Sequence, residues 1–147
     1  MKTHTITINI DFDEILNYVY AHSAWLAAYN EKLRVLTPDS RGMLLLKMKE
    51  GYADLRQRVM GYLVFDNYNP NIESRNITMT FELKHEPSQS FGESLHDAIV
   101  AVLAHFVLMR FYGEIDSRGP KYGSSISYLE WRRFKAKLML AFAHDEL

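Results

Sequence analysis

The 147-residue sequence contains no cysteine. That absence removes disulfides, thiol nucleophiles and every cysteine-based zinc site. Proline is scarce at four residues and glycine stands at seven, so few positions interrupt long helices. No G-x-S-x-G elbow of a serine hydrolase is present. The stretch Gly119-Pro120-Lys121-Tyr122-Gly123-Ser124-Ser125 lacks the Gly-Lys-Ser/Thr ending of a P-loop and follows no strand pattern, which leaves a surface loop. Neither sign of charge dominates. Basic residues number 17 and acidic residues 18, for a net charge of -1, so there is no overall pull toward nucleic acid or anionic lipid. The opening residues, MKTHTITINIDFDE, lack the apolar core of a signal peptide, and a cytoplasmic location is the expectation. The Asn76-Ile77-Thr78 sequon then carries no sugar.

What the chain does have is one strongly apolar stretch, LHDAIVAVLAHFVLMRF, from Leu95 to Phe111. Leu95, Ile99, Val102, Phe106 and Met109 follow alternating spacings of four and three, the stripe of a helix, and alanine, valine and leucine fill its flanks. The charge-free part, Ala98 to Met109, is broken only by His105 and falls short of the ~20 apolar residues a bilayer requires, so a core helix is expected. Ser90 and Glu93 fit a capping box at its start, and Gly113 fits a terminating glycine at its end.

The other segments read as partners for this helix. Thr3 to Ile10 alternates, with Ile6, Ile8 and Ile10 on one face, as in a half-buried strand. Asp11 and Glu14 then offer a cap for a helix from Phe12 to about Asn30. Thr37-Pro38 marks the next helix start, and Leu45, Met48, Tyr52, Leu55, Val59 and Tyr62 make its stripe. Gly51 and Gly61 fall inside that stripe, each costing about 1 kcal/mol relative to alanine. Asp66 to Asn76 is a polar loop, and Ile77 to Leu83 alternates as a second strand. A long loop follows Gly113. A capping box at Ser127 and Glu130 opens the last helix, with Trp131, Phe134, Leu138 and Ala141 as its stripe. The expected fold is mostly α in an α+β arrangement: a single domain, 1–147, built as a four-helix bundle with a small two-stranded sheet in the order β-α-α-β-α-α. Both outer edges of such a sheet are free to recruit strands from a neighbouring subunit.

Chemistry is thin. A di-metal bundle site needs two Glu-x-x-His pairs, and only Glu93 and His96 form one, so neither metal nor cofactor is expected. Six histidines are present, none at the i, i+4 spacing of a helical pair. His22 and His105 sit among apolar residues. They serve either as a ligand or acid–base pair or, on the plainer reading, as hydrogen-bonded histidines near the core. Asp97 and His105 lie two turns apart, roughly 11 Å, too far for a dyad within one helix. His96 and Asp97 are neighbours that point in different directions. Arg118, Lys121, Arg132, Arg133, Lys135 and Lys137 form a basic C-terminal region with Tyr122, Tyr128 and Trp131 nearby. It is either a nucleic-acid contact or the solvated face of a helix.

Three segments carry a resemblance. The strand NITMTFELKHE, the helix LHDAIVAVLAHFVLMRFYG and the terminal helix YLEWRRFKAKLMLAFAHDEL resemble uncharacterised small helical proteins of Bacteroides-type prophages, across roughly residues 75–147. In the similar proteins the middle helix ends near Tyr-Arg-Trp, where this chain has Met109-Arg110-Phe111-Tyr112. The resemblance implies a virion-assembly component of the head–tail or tail-completion kind and no catalytic residue. Together these features lead to the expectation of a non-enzymatic structural protein, cytoplasmic or in a virion, that associates with itself or other assembly proteins and spans no membrane. Tyr128, Trp131 and Phe134, with Ile77, Met79 and Phe81 of the second strand, are its expected contact residues. The alternatives are a nucleic-acid-associated protein using Arg118, Lys121, Arg132, Arg133 and Lys135, and a bundle binding a small ligand or metal through His22, His96 and His105.

Overall fold

Alternation and capping set the first two elements. A computed structural model of the chain describes residues 4–29, 35–67, 76–115 and 122–144. The threonine–isoleucine alternation forms strand β1 (His4–Asp11), with Ile8 and Ile10 buried and Thr5, Thr7 and Asn9 exposed. The Asp11 carboxylate accepts the Asp13 N–H at 2.8 Å, and Glu14 reaches back to the Asp11 N–H at 3.4 Å. This reciprocal cap starts helix α1 (Phe12–Tyr29).

A short 3-10 turn, Pro38–Ser40, leads into α2 (Arg41–Arg58). Its stripe of Met48, Tyr52 and Leu55 is buried, and burial continues through Val59 after the helix has ended. Gly51 lies where α2 crosses the central helix: a Cβ there would stand 2.7 Å from Cδ1 of Phe106. Gly61 lies outside the helix, with nothing within 4 Å of an added Cβ. The two glycines expected to weaken one helix therefore have unrelated settings.

The sheet has three antiparallel strands in the order β1-β3-β2, with β2 at Leu63–Asp66 and β3 at Asn76–Leu83. This corrects the expected two-stranded sheet and makes the order β-α-α-β-β-α-α. β2 is only four residues long and is bulged between Leu63 and Phe65, so it shows no clean alternation. It also follows directly on a helical stripe. Arg56 of α2 donates to the Asp66 carboxylate at 2.5 Å, which ties the end of β2 to the helix before it.

Helix α3 (Gln89–Ile115) is the centre of the fold, packing against α1, α2, α4 and β1. Its cap is the Ser88 hydroxyl, which accepts the Phe91 N–H at 3.1 Å. Glu93 accepts from the Gln89 side chain at 3.3 Å, so the expected Ser90–Glu93 box does not form. The helix passes through Gly113 and does not end there. Its Gln89–Tyr112 part is long and apolar enough for a membrane span, and most of that surface is covered by the rest of the protein. Helix α4 (Tyr122–His144) begins inside the expected loop. Ser127 consequently sits within the helix, fully buried, and its hydroxyl has no hydrogen-bond partner among the described residues. One core cluster joins residues from β1, β3 and all four helices. Within it the Phe142 ring stacks on Tyr62 at 4.9 Å and meets Phe81 at 4.7 Å.

Candidate functional site

The free edge of β1 follows from the hydrogen-bond phase of the sheet. The Glu82 N–H donates to Tyr62 O at 2.7 Å, and the Asn67 N–H to Thr78 O at 3.2 Å. Even-numbered residues of β3 thus turn their backbone groups toward β2, and Ile77, Met79, Phe81 and Leu83 turn theirs toward β1. The register pairs these with Ile10, Ile8, Ile6 and His4. By the same alternation, Thr5, Thr7 and Asn9 aim their N–H and C=O groups away from the sheet. The Thr7–Thr80 hydroxyl contact at 2.9 Å and the Thr78–Asn9 bond at 2.8 Å join the side chains on the outer face and leave those backbone groups without a partner strand among the described residues. The β1–β3 register runs unbroken from His4 to Asp11, without a bulge.

A groove of about 600 Å³ runs along this edge. One wall is the consecutive run Ile6 to Asn9, and the other is the first turns of α3 through Gln89, Gly92, Glu93, His96 and Asp97. Those α3 positions follow spacings of three, one, three and one, so they share one helical face. An added Cβ at Gly92 would lie 3.3 Å from Cδ1 of Ile6, so the glycine lets the helix start lie close against the strand. His96 bridges two carboxylates, with Nε2 2.9 Å from Glu14 and Nδ1 3.1 Å from Asp97. His96 and Asp97 thus meet, contrary to the expectation that they point in different directions. Beyond them a second cleft of about 450 Å³ continues between Glu14 and Tyr18 of α1, Ala101 of α3, and Phe134 and Lys137 of α4.

The other two histidines of interest come together in the interior. His22 and His105 meet edge to face with ring centroids 4.7 Å apart. Tyr18 Oη is 2.8 Å from His105 Nε2, and Phe134 stacks on the His105 ring at 5.8 Å. His105 Nδ1 and His22 Nε2 are buried without a hydrogen-bond partner among the described residues, so this is not the satisfied pair of the plainer expectation. Burial, then His22, then Arg133 push the His105 pKa down to about 3. Burial lowers that of His22 against the pull of Glu130, and burial together with Glu130 raises that of Tyr18. A fully buried neutral imidazole is out of reach of an external substrate. Among the described residues, no group of three histidine, aspartate or glutamate side chains is disposed to hold a metal ion.

The expected contact residues divide. Ile77, Met79 and Phe81 point into the core and offer no contact surface, because β3 is the central strand with partners on both sides. Trp131 is buried against Phe106 and covered by Lys135, whose ammonium lies 4.0 Å from the ring centroid. Phe134 is partly buried, and Tyr128 is exposed. The basic group is likewise dispersed. Arg133 pairs with Glu130 at 3.4 Å, Arg132 lies over Tyr128, and Lys135 is held against Trp131, while Arg118 and Lys121 lie outside the described residues. The β1 edge was legible as a possibility in the alternation of Thr3 to Ile10. Its pairing with the first turns of α3 had no signal in the sequence. Comparison with known protein families, with characterised proteins and with solved structures gives no match to this chain.

Proposed function

We propose that the chain is a non-catalytic interaction protein that receives a partner strand on the free edge of β1. The observation that carries this reading is the row of outward backbone groups at Thr5, Thr7 and Asn9, with a groove beside it. Edge strands are ordinarily guarded by lysine, proline, a bulge or extreme shortness. β2 has the last two of these devices, whereas β1 has eight residues, an unbroken register and neither lysine nor proline. Strand addition draws its affinity from main-chain hydrogen bonds and its selectivity from alternate side chains. The reading assigns no catalytic residue and no cofactor. A particle component would use such an edge to join neighbouring subunits, and the prophage-type role belongs to this same proposal.

Hydrogen exchange resolved by residue tests it. In the protein alone, the Thr5, Thr7 and Asn9 amides should exchange about a hundred-fold or more faster than those of Ile6, Ile8 and Ile10. A panel of extended octapeptides should include members that slow the first set. Edge amides already protected in the dilute protein, or left unprotected by every peptide, overturn the reading.

A further inference from the structure

We infer that the groove between β1 and α3 selects an extended segment carrying lysine or arginine at alternate positions. The inference rests on the edge reading above and adds the chemistry of the partner. A strand added to β1 turns every second side chain to the side of the sheet occupied by Ile6 and Ile8, where α3 lies. The side chains waiting there are Glu93 and Asp97, one helical turn apart, with His96 between them. The Asp97 side chain is 82% exposed. Among the described residues no lysine or arginine lines the groove beside β1, and Glu14 and Lys137 both belong to the second cleft. The wall is therefore acidic and open, and it lies where the alternate side chains of an added strand arrive.

A second copy of the chain is the competing occupant. Two β1 edges can pair antiparallel about a two-fold axis at Thr7. That pairing sets the two acidic walls side by side on one face of the joined sheet, where the partner strand turns Ile6, Ile8 and Ile10, while Asp11 lies on the opposite face with Thr7 and Asn9; no lysine or arginine of the described strand reaches the groove. Like charges facing each other disfavour it. A cationic segment from another protein meets the same backbone groups and neutralises the wall.

Fluorescence anisotropy with labelled octapeptides tests this, using one peptide that alternates lysine with threonine and one that alternates glutamate with threonine. The lysine peptide should bind and the glutamate peptide should not. The double variant Glu93→Gln, Asp97→Asn should weaken binding about ten-fold, as two rim charge pairs would, and 0.5 M salt should do the same. Thr7→Pro removes an outward N–H without removing a bond to β3, and it should abolish binding. Thr5→Pro does the same job if the first variant does not fold. Equal binding of both peptides, lost in Thr7→Pro, keeps the edge reading and overturns the charge inference. Lysine-peptide binding that survives both proline variants but not the double variant is surface attraction alone and overturns both. A concentration-dependent dimer that excludes peptide names the second copy as occupant and overturns the inference while keeping the edge. No binding of either peptide at millimolar concentration overturns both.

Discussion

Protonating His105 places a charge in the middle of the core, and acid should therefore destabilise this protein. The His105 pKa falls from the ordinary 6.5 to about 3 because the ring is buried beside His22 and within the field of Arg133. The unfolded chain takes up the proton first as pH drops. The contribution to stability is thus complete above about pH 6.5, declines as pH falls toward 3, and is flat below that. Across the whole window from 6.5 to about 3 the loss is on the order of 5 kcal/mol, a large part of the roughly 5–15 kcal/mol by which a domain is stable. By pH 4.5 the loss reaches about 3 kcal/mol. His22, lowered by burial, contributes with the same sign. The assay is urea unfolding at pH 7.5, 6.5, 5.5 and 4.5 for the wild type and His105→Gln, whose amide can meet the Tyr18 hydroxyl without titrating. Surface carboxylates act equally in both proteins, so the difference between the two pH profiles reports His105 together with its coupling to His22. The wild type should lose about 3 kcal/mol more than the variant between pH 7.5 and 4.5. Parallel profiles would refute the argument.

Other positions give simpler expectations. Gly51→Ala should lower stability by about 1–3 kcal/mol despite alanine's better helix propensity, because its Cβ meets the Phe106 ring at 2.7 Å; thermal melts decide it. Gly61→Ala, which has open space, should instead stabilise by about 0.4–1 kcal/mol in the same assay. Ser127→Ala removes a buried hydroxyl without a partner among the described residues and should be neutral or stabilising by up to about 1 kcal/mol in chemical denaturation. The buried Ser23 hydroxyl bonds both Tyr112 Oη and the Leu36 N–H at 2.8 Å, so Ser23→Ala should cost about 1–3 kcal/mol and raise the exchange rate of the Leu36 amide.

The parts of the fold that were legible in the sequence are those in which one local period runs long enough to be unmistakable. The isoleucine alternation of β1, the alternation of β3 and the apolar run of α3 all exceed seven residues. β2 was hidden because four residues around a bulge carry no period, and because Val59 stays buried past the end of α2 and prolongs the helical stripe into the turn. The caps of α3 and α4 were misplaced for a different reason. Ser88 and Ser90 are equally suitable caps by residue type, and Ser127 fits the pattern of a cap while lying inside a helix that starts at Tyr122. The meeting of His22 with His105 and the groove between β1 and α3 are tertiary. They depend on α1 and α3 running side by side, from Glu14 opposite His96 to Ser23 opposite Tyr112, which no local spacing encodes.

The pairing of β1 with β3 has a consequence for synthesis. Thr7 meets Thr80 across 73 residues of chain, so β1 leaves the ribosome roughly 4–15 s before its partner can emerge. During that interval the nascent strand exposes both of its edges and its row of isoleucines, which makes it a target for chaperones and a seed for misassembly between neighbouring polysomal chains. Helix α1, capped by its own Asp11 and Glu14, can form at once and shield part of that row. Codon changes that slow elongation between residues 30 and 75 would lengthen the exposure without altering the finished protein.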